Sequence, residues 1–135
     1  MKEPIWLNRT DCLALHELML AQHGGLAGLR AEGLLDAALA KPHHPMAYRS
    51  PTLPELAASY AMGMIGNHPF LDGNKRTGFM LAATFLELNG MAFVATEQSV
   101  VESTVALAAG KLTEAEYAEW LKRNSRNAPG QSGGD

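Results

Sequence analysis

The sequence predicts an all-α protein, and three observations carry that reading. In 135 residues there are 19 Leu against 6 Val plus Ile, with Ala abundant throughout; Leu and Ala favour helix, whereas Val and Ile favour strands. A parallel sheet needs runs of Val and Ile, and the sequence has none. Cap and stop residues also recur at spacings that fit about six short helices in close succession. This length corresponds to one domain, and at 47% hydrophobic and 19% charged it buries a core without disulfides or a structural metal. The expectation is a compact helical bundle over residues 1–123 around a central buried helix at 74–89, with a disordered tail over 124–135.

The elements follow in order. Thr10 caps a first helix that runs to about Gln22 and stops at Gly24-Gly25. Its apolar residues include Leu13, Met19 and Leu20, and His16 reads as packed beside them. The stretch from Gly24 to Arg30 is Gly-rich and reads as a turn or a flap, with Arg30 in reach of a phosphate. A second helix spans Glu32 to Ala40 and ends before Lys41-Pro42. His43-His44, between Pro42 and Pro45, reads as a loop, because adjacent histidines do not easily chelate one metal. Thr52-Leu53-Pro54-Glu55 is a capping box that starts a third helix, which ends near Asn67 because His68 precedes Pro69.

A fourth helix begins near Asn74 and stops at Asn89-Gly90. Its body, Phe79 to Leu86, is apolar on nearly every side, which suits a helix enclosed by others. After an extended piece from Met91 to Ala95, Thr96 opens a fifth helix that ends at Gly110. Thr113-x-x-Glu116 is another capping box and starts a sixth, through Trp120 and Leu121.

Charge and cysteine content narrow the function classes. A net charge of −3 argues against binding a nucleic-acid backbone. The most apolar stretch, Phe79 to Val94, is broken by Glu87, Asn89 and Gly90, so no membrane span is expected. Met1-Lys2-Glu3-Pro4 is not a signal peptide, and the lone Cys12, which has no activating neighbour, fits a reducing cytoplasm.

The chemistry concentrates in His68-Pro69-Phe70-Leu71-Asp72-Gly73-Asn74-Lys75-Arg76-Thr77, where a helix starts inside the segment. Exposed N–H groups at that start, aided by Gly73, make an anion pocket. Lys75 and Arg76 place two cations where the helix dipole is already positive, a conflict that an anionic ligand removes. Asp72 is a hard oxygen ligand suited to Mg²⁺ alongside substrate phosphates. His68 is the residue of the segment that titrates near neutral pH, hence the candidate base. Phe70 reads as an apolar anchor that buries the loop. Each residue alone has an ordinary surface or loop explanation; five such groups in one loop do not. The spacing is not that of a P-loop, and Pro69 keeps His68 from forming a helical metal pair with Asp72.

This segment resembles the core motif of the Fic/Doc superfamily, and Lys75, where Fic adenylyltransferases typically have glycine, points to the Doc (death-on-curing) branch. The resemblance extends from about Leu13 to Leu121 through His16-Glu17, Gly24 to Arg30, Gly33-Leu34-Leu35, Phe85 to Gly90 and Trp120-Leu121. It implies the toxin of a type II toxin–antitoxin pair, a kinase moving the γ-phosphate of ATP to a threonine of elongation factor Tu and so stopping translation. His68 would be the general base, Asp72 would hold Mg²⁺, and Gly73, Asn74, Lys75 and Arg76 would bind phosphates. Phe79 stands where Fic adenylyltransferases carry a second Arg, and Met80 where the Doc prototype has Asn. AMP transfer to a protein hydroxyl is the second reading, and an inactive nucleotide- or antitoxin-binding module the third. The inhibitory S/T-x-x-x-E pattern of some Fic proteins is absent, so restraint is expected from a separate antitoxin.

Overall fold

The computed structural model describes residues 3–128. Local hydrogen bonding sets most helix boundaries. The first helix, α1 (Arg9–His23), starts from Asn8 and not from the expected Thr10. The Asn8 side chain accepts from the Asp11 N–H, and the Asp11 carboxylate accepts from the Asn8 N–H, both at 2.9 Å. That exchange satisfies two donors the first turn would otherwise orphan, and Thr10 is left inside the helix. The second helix, α2 (Glu32–Ala40), runs directly into a 3-10 helix at Lys41–Ala47. The segment read as a loop is therefore helical: Pro42 sits in the first turn, where its missing N–H costs nothing, and its side chain is fully buried.

Thr52 and Glu55 form the capping box of α3 (Leu53–Asn67), and the backbone N–H of Thr52 holds the Glu55 carboxyl below its ordinary value. The chain continues through α4 (Asn74–Leu88), β1 (Met91–Phe93), α5 (Glu97–Ala108) and α6 (Glu114–Arg123). Thr96 and Thr113 cap the last two helices, as their sequence positions predict. A second strand, β2 (Ser125–Asn127), falls where the tail was expected to begin. It pairs antiparallel with β1, Met91 opposite Asn127 and Phe93 opposite Ser125, so order extends past residue 124. The rest of the expected tail, residues 129–135, lies outside the described residues.

The mostly helical bundle agrees with the sequence expectation, with α3 and α4 together at its centre. Two glycines let the helices approach closely. A Cβ at Gly78 would stand 3.2 Å from the Ala61 carbonyl oxygen across the α3–α4 contact, and one at Gly63 would stand 2.9 Å from that of Ala38 across α2–α3. Leu56, Tyr60, Leu81, Phe85, Tyr117 and Leu121 fill the core. The two buried phenols find partners: Tyr60 accepts from the Leu7 N–H at 3.0 Å, and Tyr117 lies 3.0 Å from Thr104 Oγ1, whereas the buried Thr77 Oγ1 has no partner among the described residues. Burial pushes both phenols up to about 12, which keeps them neutral. Burial likewise pushes the Cys12 thiol up to about 12, so it is an inert core residue. Among the described residues, no helix is long and apolar enough to cross a membrane.

One face of α4 is not enclosed. Its other sides pack on α1, α3, β1 and α5, but Phe79, Met80, Ala83, Thr84 and Glu87 border an open cleft.

Candidate active site

The site is built where α3 hands over to α4. Pro69 keeps His68 out of the helical region, and His68 ends α3 in the left-handed conformation at φ 51°, ψ 55°. Among the described residues it alone, apart from glycines, has positive φ. Its ring is exposed and makes no hydrogen bond to any described residue. Gly73, at φ 81°, turns the chain into α4.

Asn74 braces the loop between them. Its Oδ1 accepts from the Phe70 N–H at 3.0 Å, and its Nδ2 donates to the Phe70 carbonyl at 2.9 Å. The side chain is 3% exposed. Both polar atoms of the side chain thus serve Phe70, four residues back, which leaves the main-chain N–H of Asn74 as its group for a phosphate. Asn74→Ala leaves the buried Phe70 N–H unpaired and should lower stability by about 1–3 kcal/mol in a urea titration. An unchanged midpoint would show that the brace is dispensable.

Phe70 itself is 1% exposed and stacks face to face on His16, centroids 3.6 Å apart and planes 7° apart. His16 is buried, as its sequence position predicts, and its Nε2 lies 2.8 Å from the Asp72 carbonyl oxygen. The Asp72 carboxylate accepts one N–H at each oxygen, from Gly73 and from Leu26, both at 3.2 Å. It pairs with no cation among the described residues.

The Gly24–Arg30 segment packs along the loop between α3 and α4. Leu29 bridges antiparallel to Phe70, the Arg30 N–H donates to the Pro69 carbonyl at 2.6 Å, and the Leu71 N–H donates to Gly28 at 3.0 Å. The Arg30 guanidinium turns back onto the end of α3, with Nε 2.8 Å from the His68 carbonyl and Nη2 3.4 Å from that of Asn67. A cation on the last carbonyls of a helix is favourable, so Arg30 supports the loop that carries His68.

At the start of α4 no side chain of the described residues caps the helix. The Thr77 N–H bonds back to Gly73, while the N–H groups of Asn74, Lys75 and Arg76 meet no acceptor among the described residues. Lys75 and Arg76 are exposed and form no ion pair among the described residues. Arg76 Nη1 instead donates to Nδ1 of His23, 2.6 Å away at the end of α1. His23 was not legible as a site residue, since its partner is 53 positions away.

These groups open on a cleft of about 770 Å³ that continues along α4 toward β1 and α5. His68, Asp72, Lys75 and Arg76 line its polar end, and Phe79, Phe93 and Val100 its apolar end. Phe79 is held in aromatic packing, 5.6 Å from Phe93 and 6.3 Å from Trp120. Among the described residues no cluster of three or more His, Cys, Asp or Glu could cage a metal. The donor set nevertheless suits Mg²⁺, which is commonly held by one or two carboxylates plus phosphates and water.

The sequence model of the Fic/DOC family matches residues 6–86. The chain is similar to "Protein kinase doc" of Escherichia phage P1, at 32% identity over 114 residues, covering 84% of this chain and 90% of that protein. It is also similar to "Toxin Doc" of Mycolicibacterium smegmatis, at 38% identity over 94 residues, covering 67% of this chain and 68% of that protein. The match spans the helices that build the site and the loop that joins them: the chain belongs to the Fic/Doc family.

Proposed function

We propose that this protein is a Doc-type toxin: an Mg·ATP-dependent kinase that transfers the γ-phosphate of ATP to a threonine hydroxyl of elongation factor Tu and arrests translation. A cognate antitoxin would restrain it, and both act in the cytoplasm. The observation that carries this reading is the grouping at the polar end of the cleft. An exposed His68, its ring without a partner among the described residues, faces the same opening as Asp72, Lys75, Arg76 and the N–H groups that start α4. The relatives named as a kinase and a toxin support it.

Phosphoryl transfer depends mainly on positioning and charge neutralisation. The N–H groups at the start of α4, with Lys75 and Arg76, would bind phosphate oxygens; Arg76 would exchange its His23 contact for the ligand. Asp72 would hold Mg²⁺, which when bound neutralises phosphate charge. His68 would accept the proton of the threonine hydroxyl as that oxygen attacks the γ-phosphorus and ADP leaves. Phe79, packed among aromatics where an adenylyltransferase would carry Arg, favours phosphate over AMP transfer.

Labelled ATP tests the assignment with purified protein and elongation factor Tu. Label from the γ position should appear on the factor, dependent on Mg²⁺. Transfer of α-label instead would establish AMP transfer, and transfer of neither would leave a binding module.

A further inference from the structure

We propose that His16 is a positioning residue for this loop: its Nε2–H holds the Asp72 main chain while its ring holds Phe70. Together these contacts fix the Asp72 carboxylate at the mouth of the cleft. The proposal rests on the reading of Asp72 as the metal-facing carboxylate.

His16 sits on α1, at 5% exposure, far in sequence from the loop it touches. Nε2 is 2.8 Å from the Asp72 carbonyl oxygen, and a carbonyl only accepts, so Nε2 carries the hydrogen. The ring face covers Phe70 at 3.6 Å. The ring edge passes so close that a Cβ at Gly73 would lie 3.5 Å from both Nε2 and Cδ2. One imidazole thus meets the loop at three of its residues, and an apolar side chain could supply only the packing.

The bonds to the Asp72 carboxylate are longer by comparison. Each of its oxygens has one N–H donor at 3.2 Å, and one of those donors, Leu26, lies on the exposed Gly24–Arg30 segment. The short contact on this residue is the one His16 makes to its backbone. Without it, the carboxylate would depend on two longer bonds, one of them from a surface segment.

Two variants separate the hydrogen bond from the packing. His16→Phe keeps a ring on Phe70 and removes the donor; His16→Gln keeps an N–H of similar reach and removes the ring. Free Mn²⁺ would be measured by electron paramagnetic resonance in the presence of ATP and full-length protein. His16→Phe should weaken Mn²⁺ binding about 10-fold, or ~1.4 kcal/mol, with His16→Gln within about 3-fold of the original. The Mg²⁺ needed for half-maximal transfer should rise in parallel, with KM for ATP at saturating Mg²⁺ unchanged. In the unsubstituted protein, ¹⁵N resonance of the His16 ring should show the hydrogen on Nε2, a readout that needs no variant to fold. Equal losses in both variants, unchanged Mn²⁺ binding, or a hydrogen on Nδ1 alone would overturn the proposal. If the unsubstituted protein binds Mn·ATP but transfers no phosphate, the kinase reading fails while His16 is still judged by resonance and metal affinity. A protein that binds no Mn·ATP overturns both.

Discussion

His68→Asn should reduce phosphate transfer by about 10²–10⁴-fold, the usual contribution of a positioned general base. Asparagine is the appropriate replacement because residue 68 occupies the left-handed region, which Asn tolerates better than most side chains. The ring is exposed and bonded to no described residue, so its loss opens no cavity and strands no buried donor. Unfolding free energy should therefore change by less than about 0.5 kcal/mol. ATP affinity should be nearly unchanged, because Lys75, Arg76 and the N–H groups of α4 remain. Single-turnover transfer, calorimetric ATP binding and a denaturant titration together isolate the proton-transfer step. Transfer at the original rate would remove His68 from the mechanism.

The largest stability loss is expected at Phe85. Its ring is fully buried on α4, with Tyr60 of α3 at 5.3 Å and Trp6 of the N-terminal segment at 6.0 Å. Truncation to Ala removes most of that packing and leaves a cavity that the surrounding rings fill only in part, a cost of about 3–5 kcal/mol. Against a total of about 5–15 kcal/mol for a typical domain, this is a large fraction. Urea unfolding of Phe85→Ala measures it directly, and a loss under about 1 kcal/mol would mean that the core repacks around the gap. Because α4 carries Lys75 and Arg76 on its first turn, the same variant should lose transfer activity at temperatures where the original is still folded.

The parts of this fold that were legible in the sequence are those decided within four residues. Thr52, Thr96 and Thr113 marked helix starts because a cap bonds to the N–H three residues on. Thr10 misled for the same reason: both Asn8 and Thr10 are good caps, and the reciprocal bond from Asp11 decides for Asn8. The six-helix reading agrees with the structure because Leu and Ala composition integrates over whole segments. What depended on distant partners was not legible. Ser125-Arg126-Asn127 carries no strand signal of its own and is a strand only because β1 lies beside it. The loop from His68 to Arg76 stood out through its density of polar groups, but not which of them bond back onto the protein. Asn74 turns inward onto Phe70, Arg30 supports the end of α3, and His23 meets Arg76 across the end of α1.

The short β1–β2 ribbon has a consequence for handling the protein. Beyond the strand pairing itself, the Val94 N–H donates to the Asn124 carbonyl and the Ala128 N–H to that of Gly90, both at 2.8 Å. A chain cut back to Arg123 would leave β1 without this partner, with Phe93 and the 71%-exposed Val94 beside a bare row of peptide groups. Such an edge invites a second chain to pair along it. The residues that look most expendable thus act as a sacrificial seal, and whether a concentrated sample stays dispersed depends on retaining them.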